Sequence, residues 1–268
     1  MTIKMVATDI DGTILKYTNS GFTQEVINCI HELNKGGIKI VLVTGRMNQS
    51  AQKIADELGL KTAIVSYQGG LVWDNDKILY ERYLPADKAE KILKWGKKHN
   101  THINLYMNDE LYVTEENEFT HKYADAQNIK YHVGTFDKLH LEKVNKILFI
   151  DYNEPEKITR ITSELQKEFP ELYIVKSADT FCEVCHKEAT KGNGLKCIQD
   201  FYGITKEETL TIGDHNNDIE LLMSGGIKVA MGNATDELKA VADYITDTVD
   251  NNGFVKAMEK FVKAGANV

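Results

Sequence analysis

The hydrophobic positions of this chain follow two rhythms, and its unusual polar residues collect where one rhythm stops. Met5-Val6-Ala7 is a short unbroken apolar run, the signature of a strand buried on both faces. After Thr23, Val26, Ile30 and Leu33 recur at helical spacing until Gly36-Gly37 stops them. Ile38 to Val43 is again short and mostly β-branched, and the next helix carries Ile54, Ala55 and Leu58. A third strand and a hairpin-like pair around Asp74-Asn75-Asp76 complete the first unit, with Pro85 marking an exit near Tyr83. This alternation predicts a parallel sheet covered by helices.

From about Leu84 to Thr180 the order changes to helix, hairpin, helix, strand, helix, strand. Asn108-Asp109 separates Ile103–Met107 from Leu111–Thr114 as a tight two-strand connection would. Lys143 to Asp151 contains the run Ile147-Leu148-Phe149-Ile150, and a charged helix runs from about Glu156 to Phe169, before Pro170. The expectation is an antiparallel sheet with helices on one side. From about Cys182 to Val268 strand and helix alternate again, so the first sheet is completed after an insertion. Trp73 and Trp95 read as packing anchors.

Four polar stations stand where apolar runs end. Asp9-Ile10-Asp11-Gly12-Thr13 follows the first strand, and residues i and i+2 of an extended segment point the same way, roughly 6.5 Å apart. Gly12 allows a sharp exit that lifts both acids to the rim. Thr44-Gly45-Arg46 follows the second strand, where a hydroxyl and a backbone N–H suit an anionic oxygen. Thr190-Lys191-Gly192-Asn193-Gly194 opens a helix with Thr190 as N-cap and Leu195, Ile198 and Phe201 as its apolar face. Lys191 there lies at the wrong pole of the helix dipole, which predicts an anionic neighbour. Gly213-Asp214-His215-Asn216-Asn217-Asp218 follows Thr209–Ile212, with Asn216 a candidate cap for the helix Ile219–Met223. Mg2+ takes one or two carboxylates with phosphate and water, and Asp9 and Asp214 could supply them.

These motifs in this order resemble those of the haloacid dehalogenase superfamily, and more narrowly the Cof-like phosphatases with a large cap between the second and third motifs. Val229-Ala230-Met231-Gly232-Asn233-Ala234 and Ala242-Asp243-Tyr244-Ile245-Thr246 are also similar to that group. The resemblance implies an α/β fold, a Rossmann-like parallel-sheet core (1–83 and 184–268) with an inserted α+β cap (84–183) that sets specificity. It further implies that Asp9 is the nucleophile and Asp11 the general acid and base. Mg2+ would rest on Asp9, Asp214 and the main-chain carbonyl of Asp11, with Lys191 opposite. Thr44, the N–H of Gly45, Lys191 and Asn217 would hold phosphate oxygens, and Asp218 would orient Lys191. A carboxylate about 4 Å from a phosphate dianion is repelled by roughly 8 kcal/mol at an effective dielectric of 20, so that attack needs a cation. Two departures stand out: His215 replaces the usual Asn, and Ser66-Tyr67-Gln68-Gly69-Gly70 replaces the usual Asn-Gly-Ala. His215 reads as a helix-entry side chain rather than a substrate contact. Glu183 and Arg46 are open between rim and salt-bridged structural roles.

Composition narrows the partners. Lys plus Arg number 32 and Asp plus Glu 40, a balance of -8 with no basic block, which disfavours nucleic acid. No run of about eighteen apolar residues predicts a membrane span, and Met1-Thr2-Ile3-Lys4 leads straight into a strand, so a cytoplasmic location is expected. A monomer or weak homodimer is the expected state. Cys182-x-x-Cys185-His186 could be read as haem attachment or half a metal site, but suits a strand of small apolar residues better. The expected activity is hydrolysis of a small phosphorylated metabolite, a sugar or cofactor phosphate. A phosphomutase of the same superfamily and a phospho-aspartate signalling module remain the alternatives, and a dehalogenase is disfavoured because Asp11 would have no alkoxide to protonate.

Overall fold

The computed structural model describes residues 2–16, 21–75 and 77–263. Asp76 of the expected hairpin and residues 264–268 of the expected last unit lie outside the described residues. The first unit contains β1 (Met5–Thr8), α1 (Gln24–Lys35), β2 (Lys39–Leu42), α2 (Asn48–Glu57), β3 (Ile64–Ser66), β4 (Leu71–Asp74) and β5 (Lys77–Glu81). The middle supplies α3 (Ala86–Lys98), β6 (His102–Met107), β7 (Glu110–Val113), α4 (Glu118–Gln127) and β8 (Tyr131–Val133). It continues with β9 (Val144–Ile150), α5 (Pro155–Glu168), β10 (Tyr173–Ala178) and β11 (Phe181–Cys185). Then come α6 (Lys191–Tyr202), β12 (Thr209–Gly213), α7 (Ile219–Met223), β13 (Ile227–Ala230), α8 (Asp236–Val241), β14 (Tyr244–Ile245) and α9 (Gly253–Met258).

The core sheet has the order β14-β13-β12-β1-β2 with every pair parallel. Strand parity divides it into two apolar layers. Val6, Ile40, Leu42, Leu210 and Ile212 face α1, α2, α8 and α9, while Met5, Ala7, Val41 and Val43 face α6. Both faces are covered, which is why these strands read as continuous apolar runs. The Val43↔Val65 bridge joins the antiparallel group β3-β4-β5 to this sheet. On α6, Leu195 and Ile198 are buried as expected, but Phe201 is exposed. Gln199 takes its place on the buried face because it is satisfied there, donating to Thr209 Oγ1 at 3.1 Å and to the Ser224 carbonyl at 3.0 Å.

The inserted unit is a six-stranded sheet, β10-β11-β9-β6-β7-β8. The β6–β7 turn bears out the Asn108-Asp109 reading: both residues have positive φ (54° and 59°). Three details differ from expectation. The edge strand β8 was not foreseen, and it pairs with β7 in parallel because α4 carries the chain back to the same end of the sheet. Helices cover both faces: Ile92 and Trp95 of α3 and Ile158, Ile161 and Leu165 of α5 pack on one, whereas Tyr123 of α4 packs with Tyr106, Leu148 and Ile150 on the other. Finally β11, which forms a hairpin with β10, spans the expected boundary at 183/184, so the chain leaves this sheet only after Cys185. Cys182 faces the α3 and α5 layer, and strand parity turns Cys185 to the opposite face, so the two thiols do not converge. Trp95 lies in that same layer, and Trp73 packs against the α4 layer. Among the described residues no helix is long and apolar enough to cross a membrane.

Candidate active site

All four stations meet at the carboxyl edge of the core sheet, the position at which open parallel sheets form ligand crevices. Asp9 leaves β1 as Gly12 (φ 80°) turns the chain and donates its N–H to the Leu15 carbonyl. Lys191 opens α6, where Thr190 caps the helix by accepting from the Asn193 N–H at 3.2 Å. The Lys191 ammonium donates to Asp9 Oδ1 at 2.6 Å and Asp218 Oδ1 at 2.5 Å, the anionic neighbours its dipole mismatch predicted. Asp218 Oδ2 accepts from the backbone N–H groups of Asp214 and His215, at 3.0 and 3.1 Å. Both Asp218 oxygens are therefore engaged in orienting its neighbours.

Burial pushes the Asp9 carboxyl up to about 7; Lys191 opposes this while Asp218 and Asp11 add to it. Burial would push Lys191 down, but Asp218 and Asp9 outweigh it and hold the ammonium above its ordinary value. One carboxylate oxygen each of Asp9, Asp214 and Asp218 lie within 4.8 Å of one another in a buried cluster. An all-oxygen set of this size fits a hard divalent cation such as Mg2+. Since Asp218 is taken up by Lys191 and the backbone, the residues fitted to hold the ion are Asp9 and Asp214. Asp214 is oriented by Thr13 Oγ1 at 3.3 Å and by Asn233 Nδ2 at 3.4 Å.

Asp11 is placed differently from Asp9. Its carboxylate forms a two-pronged pair with Arg46, Nε to Oδ2 at 2.8 Å and Nη2 to Oδ1 at 2.5 Å. Arg46 continues to Ser50 Oγ at 3.2 Å, and Ser50 donates to the Gln127 carbonyl at the end of α4. Arg46 is therefore buried in an ion pair with the half-exposed Asp11 and also lines the cavity above Asp9. Thr44 Oγ1 accepts from the Arg46 N–H at 3.1 Å, and Gly45 follows it. Asn217 Nδ2 donates to Gln68 Oε1 at 3.0 Å, while its buried Oδ1 has no hydrogen-bond partner among the described residues. Asn216 does not cap a helix: its Oδ1 accepts from Thr235 Oγ1, and Asp218 makes the capping-box contact instead. His215 is mostly buried; its Nδ1–H donates to the Lys176 carbonyl of β10 at 3.1 Å, since a carbonyl can only accept.

A cavity of about 310 Å3 separates this floor from the inserted unit. Tyr123, Tyr152 and Phe181 form an aromatic wall, with the Lys122 ammonium 3.9 Å from the Tyr152 ring centre. Sequence reasoning missed this wall, and it missed Lys146. Lys146 is buried on β9 and donates to Glu183 Oε2 at 2.7 Å and to the Gly45 carbonyl at 2.6 Å. A signal existed: strand parity puts Lys146 on the same inward face as Leu148 and Ile150, an odd place for an ammonium. Glu183, left open from sequence, lies in this ion pair and on the cavity wall.

Comparison with known proteins agrees with this arrangement over nearly the whole chain. The profile of the haloacid dehalogenase-like hydrolases matches residues 6–258. The chain belongs to that family. It is 30% identical to YxeH of Bacillus subtilis (strain 168) over 97% of this chain and 99% of YxeH. From the same organism, the 5-amino-6-(5-phospho-D-ribitylamino)uracil phosphatase YcsE is 29% identical over 97% of this chain and 96% of its own length. The subclass IIB sugar phosphatase BT4131 superposes with a TM-score of 0.83 at 26% identity, covering 96% of this chain and 98% of that one. The fold is thus a Rossmann-like core with an inserted α+β cap, and the enzyme is a phosphatase of the Cof-like type. Neither a mutase nor a signalling module is favoured.

Proposed function

We propose that this protein is a Mg2+-dependent phosphatase that hydrolyses a small phosphorylated metabolite, a sugar or cofactor phosphate, through an aspartyl phosphate on Asp9. The observation that carries the reading is the pairing of buried Asp9 with Lys191 at 2.6 Å, beside Asp214, at the floor of a cavity between core and cap. Bound at Asp9, Asp214 and the Asp11 carbonyl, Mg2+ would supply positive charge to a nucleophile and a phosphoryl group that otherwise repel. Asp9 attacks phosphorus in line, while Lys191, Thr44, the Gly45 N–H and Asn217 hold the equatorial oxygens. Asp11 protonates the departing alkoxide and then takes a proton from the hydrolytic water, for which its pair with Arg46 has to open.

Residues from 84 to the end of β11 act as the cap that excludes water and contacts the leaving group. The names of two relatives, a ribitylaminouracil-phosphate phosphatase and a sugar phosphatase, support a polyhydroxylated phosphate ester. The cavity's size and the aromatic wall support a small leaving group with a flat apolar face.

The test is phosphate release from para-nitrophenyl phosphate and a panel of metabolite phosphates with Mg2+. Asp9→Asn is expected to abolish turnover and Asp11→Asn to slow it by about 10²- to 10⁴-fold. Equal rates for wild type and Asp9→Asn would end the nucleophile assignment.

A further inference from the structure

Lys146 and Glu183 form a buried ion pair in the cap, and such a pair stabilises a fold little better than an apolar pair of the same volume. Its partners give it another significance. Lys146 donates to the Gly45 carbonyl at 2.6 Å, and its ammonium also lies 4.8 Å from the Tyr106 ring centre. Glu183 Oε1 accepts from Gln68 Nε2 at 2.8 Å, and Gln68 Oε1 accepts from Asn217 Nδ2 at 3.0 Å. Gln68 has left-handed backbone (φ 60°), which a non-glycine residue adopts only under constraint. The relay packs flush on Gly45, where a Cβ would stand 2.4 Å from Gln68 Nε2 and 3.0 Å from Glu183 Oε1.

The hydrogen-bond order is directional. A carboxylate only accepts, so Glu183 requires the Gln68 NH2 to face it. The Gln68 oxygen then faces Asn217, whose NH2 must face back. A charge in the cap thus dictates the orientation of a core amide. The Lys146 donors are spent on Gly45, Glu183 and the Tyr106 ring, and Gln68 is fully buried, so these residues act through others rather than on the leaving group.

We propose that Lys146 and Glu183 are positioning residues through which the seated cap sets the Gly45–Arg46 peptide, whose N–H holds Thr44 Oγ1, and the Asn217 amide of the phosphate site. The proposal rests on the reading of Thr44 and Asn217 as phosphate contacts. The phosphate site is then complete only with the cap in place.

Glu183→Gln keeps the shape but lets residue 183 offer its NH2 to Gln68, turning Gln68 and then Asn217 around. Competitive inhibition by inorganic phosphate with Mg2+ should weaken by about tenfold, with kcat falling, at an unchanged melting temperature. Loss of a negative charge alone would tighten an anion, the opposite sign. The exchange Gln68→Glu with Glu183→Gln restores the donor order at constant charge and should recover phosphate inhibition to near wild type. If Glu183→Gln folds poorly, the exchanged pair compared with the apolar pair Lys146→Met and Glu183→Leu decides the same point: recovery in the first and not the second is expected. Wild-type inhibition and kcat in folded Glu183→Gln, or an exchanged pair no better than the apolar pair, would overturn the relay. Failure of the wild type to hydrolyse any ester would instead sink the phosphatase reading.

Discussion

Asp9 is a carboxylate placed where burial disfavours its charge, and its folded-state value of about 7 has a stability consequence. The unfolded chain returns it to the ordinary value near 3.8, so between these limits the native state holds the proton more tightly. Stability is therefore full below the unfolded value and declines as pH rises through about 4 to 7, by roughly 4 kcal/mol at most. Asn at this position carries no charge to desolvate, although Lys191 then keeps only Asp218. In chelator, Asp9→Asn should melt a few degrees above wild type at pH 8, with the gap closing toward pH 4. A variant less stable than wild type at pH 8 would show that the Lys191 pair outweighs the cost of burying the Asp9 charge. The same residue shows what sequence can reveal. Asp9, Thr44, Lys191 and Asp214 each interrupt an apolar run at a strand exit or helix start, so local pattern exposes them. Gln68 and Lys146 depend on partners 115 and 101 residues away, and nothing local shows that a polar side chain will be satisfied there.

At the scale of elements, α2 begins without a cap of its own: Met47 at its N-cap offers no side-chain acceptor. The missing acceptor comes from the cap domain. Asp109, in the β6–β7 turn, accepts from the Asn48 N–H at 3.0 Å and from the Tyr67 hydroxyl at 2.6 Å, and its carbonyl accepts from Gln49. A carboxylate there also suits the positive pole of the helix. The turn was legible as Asn108-Asp109, because two positive φ values favour these residues, but its docking on a helix from another part of the chain was not. Asp109→Ala should cost about 1–2 kcal/mol in urea unfolding, while Asp109→Asn, still able to accept, should cost less than half of that. Because α2 directly follows Thr44-Gly45-Arg46, the Ala variant should also raise KM. Equal losses for Ala and Asn would mean that Asp109 contributes through charge and not as a cap. The position of α4 was misjudged for a related reason: it buries only Thr120, Tyr123 and Ala124, too weak a stripe to reveal which sheet face it covers.

Across the whole molecule, charge limits what the site can bind. The protein carries a formal -8, and its cavity gives no local surplus of cations: Lys16, Arg46, Lys122 and Lys146 are matched by Asp9, Asp11, Glu183 and Asp214. Arg46 and Lys146 are already paired with Asp11 and Glu183, and Lys191, behind the floor, with Asp9 and Asp218. A phosphate dianion entering this neutral cavity would leave it at -2, in a place where burial has already lifted Asp9. A divalent cation on Asp9 and Asp214 removes that deficit, so cation and anion should bind as a coupled pair. By linkage, whatever factor Mg2+ adds to phosphate affinity, phosphate must return to Mg2+ affinity. Calorimetric titration of Mg2+ with and without saturating inorganic phosphate should differ by about tenfold or more, near 1.4 kcal/mol, and Asp214→Asn should abolish the difference. Phosphate binding of equal strength in chelator and in Mg2+ would mean that this cavity neutralises an anion with side chains alone, and the buried carboxylate cluster would then have no part in the chemistry.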